Sequence, residues 1–311
     1  MKSIQASLQS MMNGDKFIKQ YEMLKHDILT DPIINEFMQS HPHVSLDMLE
    51  RSLPKLDQYR KEVNTCNHCP GLQKCTNLMT GYRPKLVVDK QFVDIRFDVC
   101  EIKQKEDRQK KQQALIKSLY IPKDILAARF EHFDQDHEAR LAASAAALEF
   151  AMQADPGNRP MGLYLYGKFG VGKTYIMGAV ANELADRDIE TMLVYTPDFF
   201  REMKQSIGDG TFSEKLDRVK NAQVLILDDI GAESLSSWIR DDVLGVILQY
   251  RMLENLPTLF TSNYDYDELE EHLAYSDRGG LEQLKAKRIM ERIRHFTTPI
   301  YVDGENRRRR N

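Results

Sequence analysis

The chain has 311 residues, of which 42% are hydrophobic and 29% charged, and its formal net charge at pH 7 is -4. This is the composition of an ordinary soluble globular protein with room for two domains, and the net charge does not indicate nucleic-acid binding by the chain as a whole. No stretch approaches the roughly 18 apolar residues of a membrane helix, and the amino terminus has no signal-peptide pattern. We therefore expect a cytoplasmic protein with no membrane partner.

The first hundred residues contain two helix-start signals. Asp31 followed by Pro32 predicts one start, and Ser45 is a candidate cap for a second helix, which Pro54 should kink or restart. The second helix has an apolar stripe made of Leu49, Leu53 and Leu56. We interpret the stripe as a local core, and the alternative is a docking face for a partner.

Residues 86–99 are predicted to form a β-hairpin. Leu86–Val88 can pair across a turn at Asp89 and Lys90 with a strand in which apolar and polar residues alternate. The apolar positions of that strand are Val93, Ile95, Phe97 and Val99. This alternation predicts a half-buried strand.

The same region carries all four cysteines of the chain. Cys66 and Cys69 form a CxxC pair, and Cys75 and Cys100 follow. Four thiolates suit tetrahedral zinc and leave no open position for catalysis, so we predict a structural zinc site. His68 is an alternative fourth ligand, and the competing interpretation is a reduced cluster without metal.

A stretch rich in charge and poor in apolar residues begins near residue 101, and we interpret it as a linker that can be helical. The predicted organisation is an amino-terminal domain over 1–105, a linker over 106–135 and a second domain over 136–311. In the second domain, apolar runs separated by helical segments predict an α/β fold with a parallel sheet covered on both faces. The five predicted strands are 163–166, 192–195, 224–227, 258–261 and 299–302.

A phosphate-binding motif directly follows the strand at 163–166. Gly167, Gly172, Lys173 and Thr174 fit the pattern GxxxxGKT, and an Ala-rich helix follows. Glycines allow backbone N–H groups to surround a phosphate, Lys173 can reach the β- and γ-phosphates of ATP, and Thr174 can bind Mg²⁺. The predicted nucleotide-binding residues are Gly167, Lys168, Phe169, Gly170, Val171, Gly172, Lys173, Thr174, Tyr175 and Asp228.

Polar side chains also end two other predicted strands. Asp228 and Asp229 end the strand at 224–227, so Asp228 is placed to hold Mg²⁺ and Asp229 to orient or deprotonate the attacking water. Asn263 ends the strand at 258–261, where ligands of parallel sheets bind. The residues predicted to be catalytic at these strand ends and in the loop are Lys173, Asp229 and Asn263.

Arg288 and Arg292 are four residues apart on a predicted helix, with Ile289 and Ile293 towards the core. One of the arginines can act as an arginine finger on the ATP of a neighbouring subunit. The alternative is surface salt bridging with Glu291.

Together these motifs resemble the AAA+ ATPases of the bacterial replication-initiator and helicase-loader group. The resemblance rests on the phosphate loop, the tract 227–233, Thr261-Ser262-Asn263 and the Arg-rich late helix. It implies that Lys173 and Thr174 are Walker A residues, Asp228 and Asp229 Walker B, Asn263 sensor 1 and Arg292 the arginine finger. Sensor 2 falls among Arg307–Arg310, a cluster whose other interpretation is a solvated tail.

The whole layout resembles the replicative helicase loaders of Gram-positive bacteria. This implies that the amino-terminal domain binds zinc and the hexameric replicative helicase. It also implies that the chain delivers the helicase onto single-stranded DNA, and that copies of the chain associate with one another on the helicase. Within a helix that contacts single-stranded DNA in this group lie Phe199, Phe200, Arg201 and Lys204. Aromatic residues beside basic ones suit base stacking and phosphate contact. The alternative is that Phe199 and Phe200 are core residues.

Three alternative functions were weighed. A replication initiator needs a DNA-binding domain after the ATPase, whereas this sequence ends nine residues after Val302. A transposition-associated ATPase of the same group lacks the cysteine-bearing domain. A non-enzymatic adaptor would not need Asp228, Asp229 and Asn263. We therefore favour an ATP-dependent helicase loader with slow, regulated hydrolysis.

Overall fold

The computed structural model describes residues 15–133, 137–233, 236–276 and 280–307. The chain divides into two compact units, which we call the amino-terminal unit (residues 1–109) and the carboxyl-terminal unit (residues 110–311). A helix, α5 (Glu101–Leu115), runs through the boundary. The charged stretch expected to be a linker is therefore largely helical, because its Lys, Glu and Gln residues favour helix even without an apolar face.

Capped helices open the amino-terminal unit. The Asp31 carboxylate accepts a hydrogen bond from the Ile33 N–H, and the Ser45 hydroxyl accepts one from the Met48 N–H, which confirms both expected helix starts. Pro54 lies in the first turn of the next helix, where its missing N–H has no consequence. The helices are α1 (Asp15–Leu29), α2 (Pro32–Ser40), α3 (Leu46–Arg51) and α4 (Leu53–Asn67).

The expected hairpin is present as β1 (Tyr82–Asp89) and β2 (Phe92–Val99), paired antiparallel. Val88 lies opposite Val93, and Lys90 in the turn has a φ of 50°. Val93 is fully buried, whereas Val99 at the other end of β2 is 48% exposed. The hairpin thus joins a small core at one end, and that core consists of Ile28, Ile34, Val44, Leu49, Leu53, Leu56, Leu86 and Val93.

The carboxyl-terminal unit is built on a parallel sheet, in which the described residues form six strands. Five of them match the sequence prediction. The sixth, Ile116–Leu119, is an edge strand inside the stretch expected to be a linker, so the five-strand prediction is wrong. In sheet order the strands are β10 (Thr297–Tyr301), β4 (Gly162–Tyr166), β7 (Thr258–Ser262), β6 (Val224–Asp228), β5 (Thr191–Tyr195) and β3 (Ile116–Leu119).

Helices cover both faces of this sheet, as its continuous apolar strands require. On β6, Leu225 and Leu227 face one core while Val224 and Ile226 face the other. The helices are α6 (Lys123–Leu126), α7 (Glu138–Gln153), α8 (Lys173–Asp186), α9 (Thr196–Asp209), α10 (Phe212–Lys220), α11 (Gly245–Leu253), α12 (Tyr266–Ala274) and α13 (Gln283–Phe296). A π-helical turn (Ile239–Leu244) precedes α11, and a short hairpin of β8 (Tyr275–Ser276) and β9 (Gly280–Leu281) precedes α13.

Among the described residues, every helix is too short or too polar to cross a membrane. The polar side chains that end β4, β6 and β7 meet at the carboxyl edge of the sheet, because the three strands are parallel neighbours. This edge holds the candidate site.

Candidate nucleotide site

The loop after β4 has the backbone geometry of an anion-binding loop. Gly172 precedes α8 with a φ of +103°, a left-handed conformation that disfavours other residues. Gly170 also has a positive φ, and a Cβ there would collide with the Asn306 side chain. The loop therefore requires glycine at these positions and leads directly into the positive amino end of α8.

Lys173 lies inside the curve of this loop and is only 7% exposed. Its ammonium donates hydrogen bonds to the carbonyl oxygens of Gly167 (2.7 Å) and Lys168 (2.8 Å). It also donates to Oδ1 of Asn263 at 2.9 Å. The strong donor of the loop is thus held where a phosphate would lie.

Asp228 is the buried carboxylate of the site. Its Oδ1 accepts hydrogen bonds from the hydroxyls of Thr174 (2.8 Å) and Thr261 (2.6 Å). Burial raises the pKa of Asp228 to about 6, and the two hydroxyl hydrogen bonds partly oppose that rise. A hydroxyl and a carboxylate side by side are the oxygen ligands that Mg²⁺ takes in phosphate sites, so these residues fit the ion.

Asp229 follows in a strained backbone conformation, with a φ of 60°. Its N–H donates to the Thr261 hydroxyl (2.8 Å), and its Oδ1 accepts from Nδ2 of Asn263 (3.0 Å). Asn263 therefore contacts Lys173 with one amide atom and Asp229 with the other. The three predicted catalytic groups at 173, 229 and 263 form one continuous chain of hydrogen bonds.

These groups line a cleft of about 760 Å³. Of the residues predicted to bind the nucleotide, Phe169, Gly170 and the segment 172–175 line this cleft, whereas Gly167, Lys168 and Val171 do not. Gly167 and Lys168 act instead through their carbonyls, and the Val171 side chain is buried in the core.

Part of the cleft wall was missed by sequence reasoning. Apolar side chains of Ile121, Ile125 and Phe133 line it, and the Phe133 ring meets the Tyr175 ring edge-on at 5.0 Å. This wall provides an apolar surface beside the phosphate loop, as a purine ring requires. No local motif marks these residues, because they precede the loop by some forty positions.

Glu233, which ends the tract 227–233, was also missed. It is 8% exposed, and burial raises the pKa of its carboxyl to about 7. One oxygen accepts the Gly231 N–H at 3.0 Å, and the other has no partner among the described residues. A carboxyl in this state is neutral for part of the physiological pH range.

Arg292 does not line the cleft of its own chain. It is half-buried on α13, and its guanidinium donates to the Gly245 carbonyl at 3.4 Å. Arg288, one turn earlier, is exposed. Of the sensor 2 candidates, Arg307 lines the cleft and its N–H donates to the Gly170 carbonyl at 3.1 Å, while Arg308–Arg310 lie outside the described residues.

The aromatic part of the DNA-contact prediction is wrong. Phe199 and Phe200 are 1% and 3% exposed and pack in the core beneath α9, so they cannot stack on bases. Both fall on the apolar face that the helix needs to cover the sheet. Arg201 and Lys204 are exposed on the opposite face.

The predicted zinc site is not formed by the described residues, none of which are arranged as a group of three or more metal ligands. Cys69 is exposed, and the other three thiols are half-buried. Cys66 accepts a hydrogen bond from Asn77 at 3.1 Å, and Cys100 accepts one from the Lys103 N–H at 3.4 Å. As placed, the four cysteines do not fit a zinc ion.

Comparison with known proteins agrees with this architecture. Residues 87–311 match the family of IstB-like ATP-binding proteins, and residues 1–97 match the family described as the primosomal protein DnaI N-terminus. The replicative helicase loader DnaI of Bacillus subtilis (strain 168) is 46% identical over 99% of this chain and 99% of its own. The replicative helicase loader DnaC of Escherichia coli (strain K12) is 25% identical over 53% of this chain and 62% of its own.

A crystal structure of DnaI is 50% identical and covers 63% of this chain and 99% of its own, with a TM-score of 0.57. A crystal structure of the DnaC helicase loader is 24% identical with a TM-score of 0.50, covers 58% of this chain and 100% of its own, and shares the fold. The fold and the cleft define an ATP-binding protein of the AAA+ class. Within that class, the chain belongs to the family of the replicative helicase loader DnaI.

Proposed function

We propose that this chain binds ATP with Mg²⁺ in the cleft, hydrolyses the ATP slowly, and uses the cycle to deliver a hexameric replicative helicase onto single-stranded DNA. One observation carries the proposal. Side chains that follow three neighbouring strands converge at the loop, where Lys173, Asn263 and Asp229 are joined by hydrogen bonds of 2.9 and 3.0 Å. These hydrogen bonds link phosphate binding by Lys173 to the carboxylate that would orient and deprotonate the attacking water.

Each residue has a separate task. Lys173 exchanges its contacts with loop carbonyls for the nucleotide phosphates, and Thr174 with Asp228 would hold Mg²⁺. Mg²⁺ supplies neutralisation of phosphate charge when bound. Asp229 orients and deprotonates the attacking water, with Asn263 holding its carboxylate.

Arg292 supports self-association. Because this arginine does not line the cleft of its own chain, we assign it to the nucleotide of a neighbouring copy. We propose that copies of the chain assemble on the helicase, with Arg292 of one copy completing the site of the next.

DNA contact is proposed for Arg201 and Lys204 alone. Both are exposed on α9, and without the phenylalanines the contact is to phosphates rather than bases. Affinity for single strands should therefore fall steeply with salt and depend little on base sequence.

The helicase is proposed to bind the amino-terminal unit, which lies within the 99% of this chain that matches the DnaI of Bacillus subtilis. A match of residues 1–97 to the DnaI amino terminus favours a loader over a transposition ATPase. For the four cysteines, a structural zinc ion is a separate proposal that rests on residue chemistry only, because the described residues form no group of three or more metal ligands.

Co-purification with the replicative helicase tests the proposal. We expect full-length protein to retain the hexamer and, with ATP and single-stranded DNA, to transfer it to the DNA. Protein carrying Asp229→Asn should retain the helicase but fail to complete the cycle. Absence of helicase binding under every nucleotide condition would reject the loader function.

A further inference from the structure

Arg140 is a buried cation beside the nucleotide cleft. It lies in the first turn of α7, a helix otherwise rich in alanine, and is 2% exposed. Arginine is rarely buried unless its guanidinium is fully engaged, because removing the charge from water is unfavourable. Its position therefore calls for a specific set of partners.

Those partners include backbone carbonyls from two distant segments. Nε of Arg140 donates to the Val171 carbonyl in the phosphate loop at 3.0 Å, and Nη2 donates to the Glu305 carbonyl at 3.1 Å. Glu305 belongs to the segment 303–307, which we call the tail. One guanidinium thus joins the phosphate loop to the tail.

The tail has further contacts with the same loop. The Arg307 N–H donates to the Gly170 carbonyl at 3.1 Å, and Lys168 lies 3.5 Å from Asp303. Gly304 has a φ of +142°, and a Cβ there would collide with the Arg140 guanidinium. The tail is therefore shaped to accept Arg140.

The direction of the carbonyls matters for phosphate binding. An anion-binding loop works by pointing successive N–H groups inward, which requires the carbonyls to point away. Here the successive carbonyls of Gly170 and Val171 are held on the outside by Arg307 and Arg140. Without these donors, the loop can rotate its peptide planes and lose its inward N–H groups.

We propose that Arg140 is a positioning residue for nucleotide binding, which holds the phosphate loop in its anion-binding conformation and fixes the tail, with Arg307, against the cleft. The inference rests on the proposed nucleotide site. Arg140 acts on ATP through the loop rather than through the reacting atoms.

Arg251 provides a matched control. It is 1% exposed and also clamps backbone carbonyls, with Nη2 donating to Pro257 at 2.7 Å and Nη1 to Ala222 at 2.6 Å. Its contacts lie before β6 and β7, at the amino edge of the sheet, opposite to the cleft. Loss of Arg251 should destabilise the fold without touching the loop.

The test measures binding of a fluorescent ATP analogue to full-length protein. Arg140→Ala should weaken binding by about tenfold or more, because it removes hydrogen bonds from a charged donor. Added guanidinium at millimolar concentration should restore part of the affinity, and Arg140→Lys should be intermediate. Arg251→Ala should keep affinity within about twofold of the unsubstituted protein while lowering its unfolding temperature.

A second pair of variants approaches the contact from the tail. Gly304→Ala should weaken binding as Arg140→Ala does, since it displaces the guanidinium. Gly157→Ala is its control, because Gly157 also has a positive φ (+94°) but has open space for a Cβ. This pair tests the role of Arg140 even if the Arg140→Ala protein fails to fold.

Unchanged affinity in Arg140→Ala or Gly304→Ala would overturn the inference, as would an equal loss in Arg251→Ala or Gly157→Ala. An unsubstituted protein that binds no nucleotide would overturn the proposed site itself, and the inference with it. The two failures are therefore distinguishable.

Discussion

The two units of the chain differ in where they place charged and apolar side chains. In the carboxyl-terminal unit, Lys173 and Asp228 are nearly buried at the carboxyl edge of a covered sheet. In the amino-terminal unit, the core is small, and apolar side chains such as Met23 (72%), Leu78 (75%) and Phe92 (51%) remain exposed. Exposed apolar side chains also occur in the carboxyl-terminal unit, for example Leu284 (68%), so the buried charges are the clearer difference between the units. Buried charge favours chemistry, and we therefore propose that ATP reacts in the carboxyl-terminal unit and that the amino-terminal unit binds the partner.

Separating the units should have the largest effect. Removal of residues 1–109 is expected to abolish co-purification with the helicase, because the exposed apolar side chains of that unit are lost. A chain ending at residue 109 should retain it. Helicase binding by residues 110–311 alone would contradict the assignment of partner binding to the amino-terminal unit.

Lys173→Ala should remove nucleotide binding. The ammonium is the loop's strong donor, and losing its contacts to two phosphates should weaken ATP binding by about 100-fold or more. Lys117→Ala, which changes an exposed lysine on the edge strand β3, serves as the control. Helicase co-purification should survive in both variants, and its loss in Lys173→Ala would show that the two units do not divide the tasks.

Asp229→Asn should separate hydrolysis from binding. The amide keeps the shape of the side chain but cannot accept the proton of water, so hydrolysis should fall by about 100-fold while ATP affinity changes little. Asp217→Asn alters an exposed carboxylate on α10 and should leave the rate unchanged. Normal turnover in Asp229→Asn would remove that residue from the reaction.

Metal analysis examines the amino-terminal unit. If the four cysteines hold a structural zinc ion, purified protein should contain about one zinc per chain. The double substitution Cys66→Ser with Cys69→Ser should then release it. Nucleotide affinity should be unaffected, since the cysteines all belong to the other unit. Metal-free protein with unchanged stability would reject the zinc site, in agreement with the positions of the thiols in the structure.

Glu233 is expected to change stability rather than nucleotide or helicase binding. Its folded pKa of about 7 exceeds the ordinary value of 4.5. The folded state therefore binds a proton more tightly than the unfolded state, and stability falls as pH rises from about 4.5 to 7. Glu233→Gln should remove this loss, which is about 3 kcal/mol above pH 7. Thermal unfolding should then show a raised Tm at pH 8 and almost none of this gain at pH 4.

The motifs that were located correctly are local ones. Asp31 and Ser45 cap helices within two or three residues, and the loop at 167–174 needs only its own strand and helix. The strand at Ile116–Leu119 was missed because its four residues follow a charged helix, and only pairing with β5 makes them a strand. Phe199 and Phe200 were misassigned because an aromatic residue beside a basic one has the same pattern in a core helix and in a DNA-binding helix.

By itself, the sequence determined the phosphate loop, the acidic pair at 228 and 229, and the parallel strands that carry them. These features depend on backbone conformation and periodicity over a few residues, which local residue types control. Only the tertiary structure joined Arg140 to Glu305 across 165 positions, and linked Lys173 through Asn263 to Asp229. Contacts between distant segments depend on how strands are ordered in the sheet, and no local pattern encodes that order.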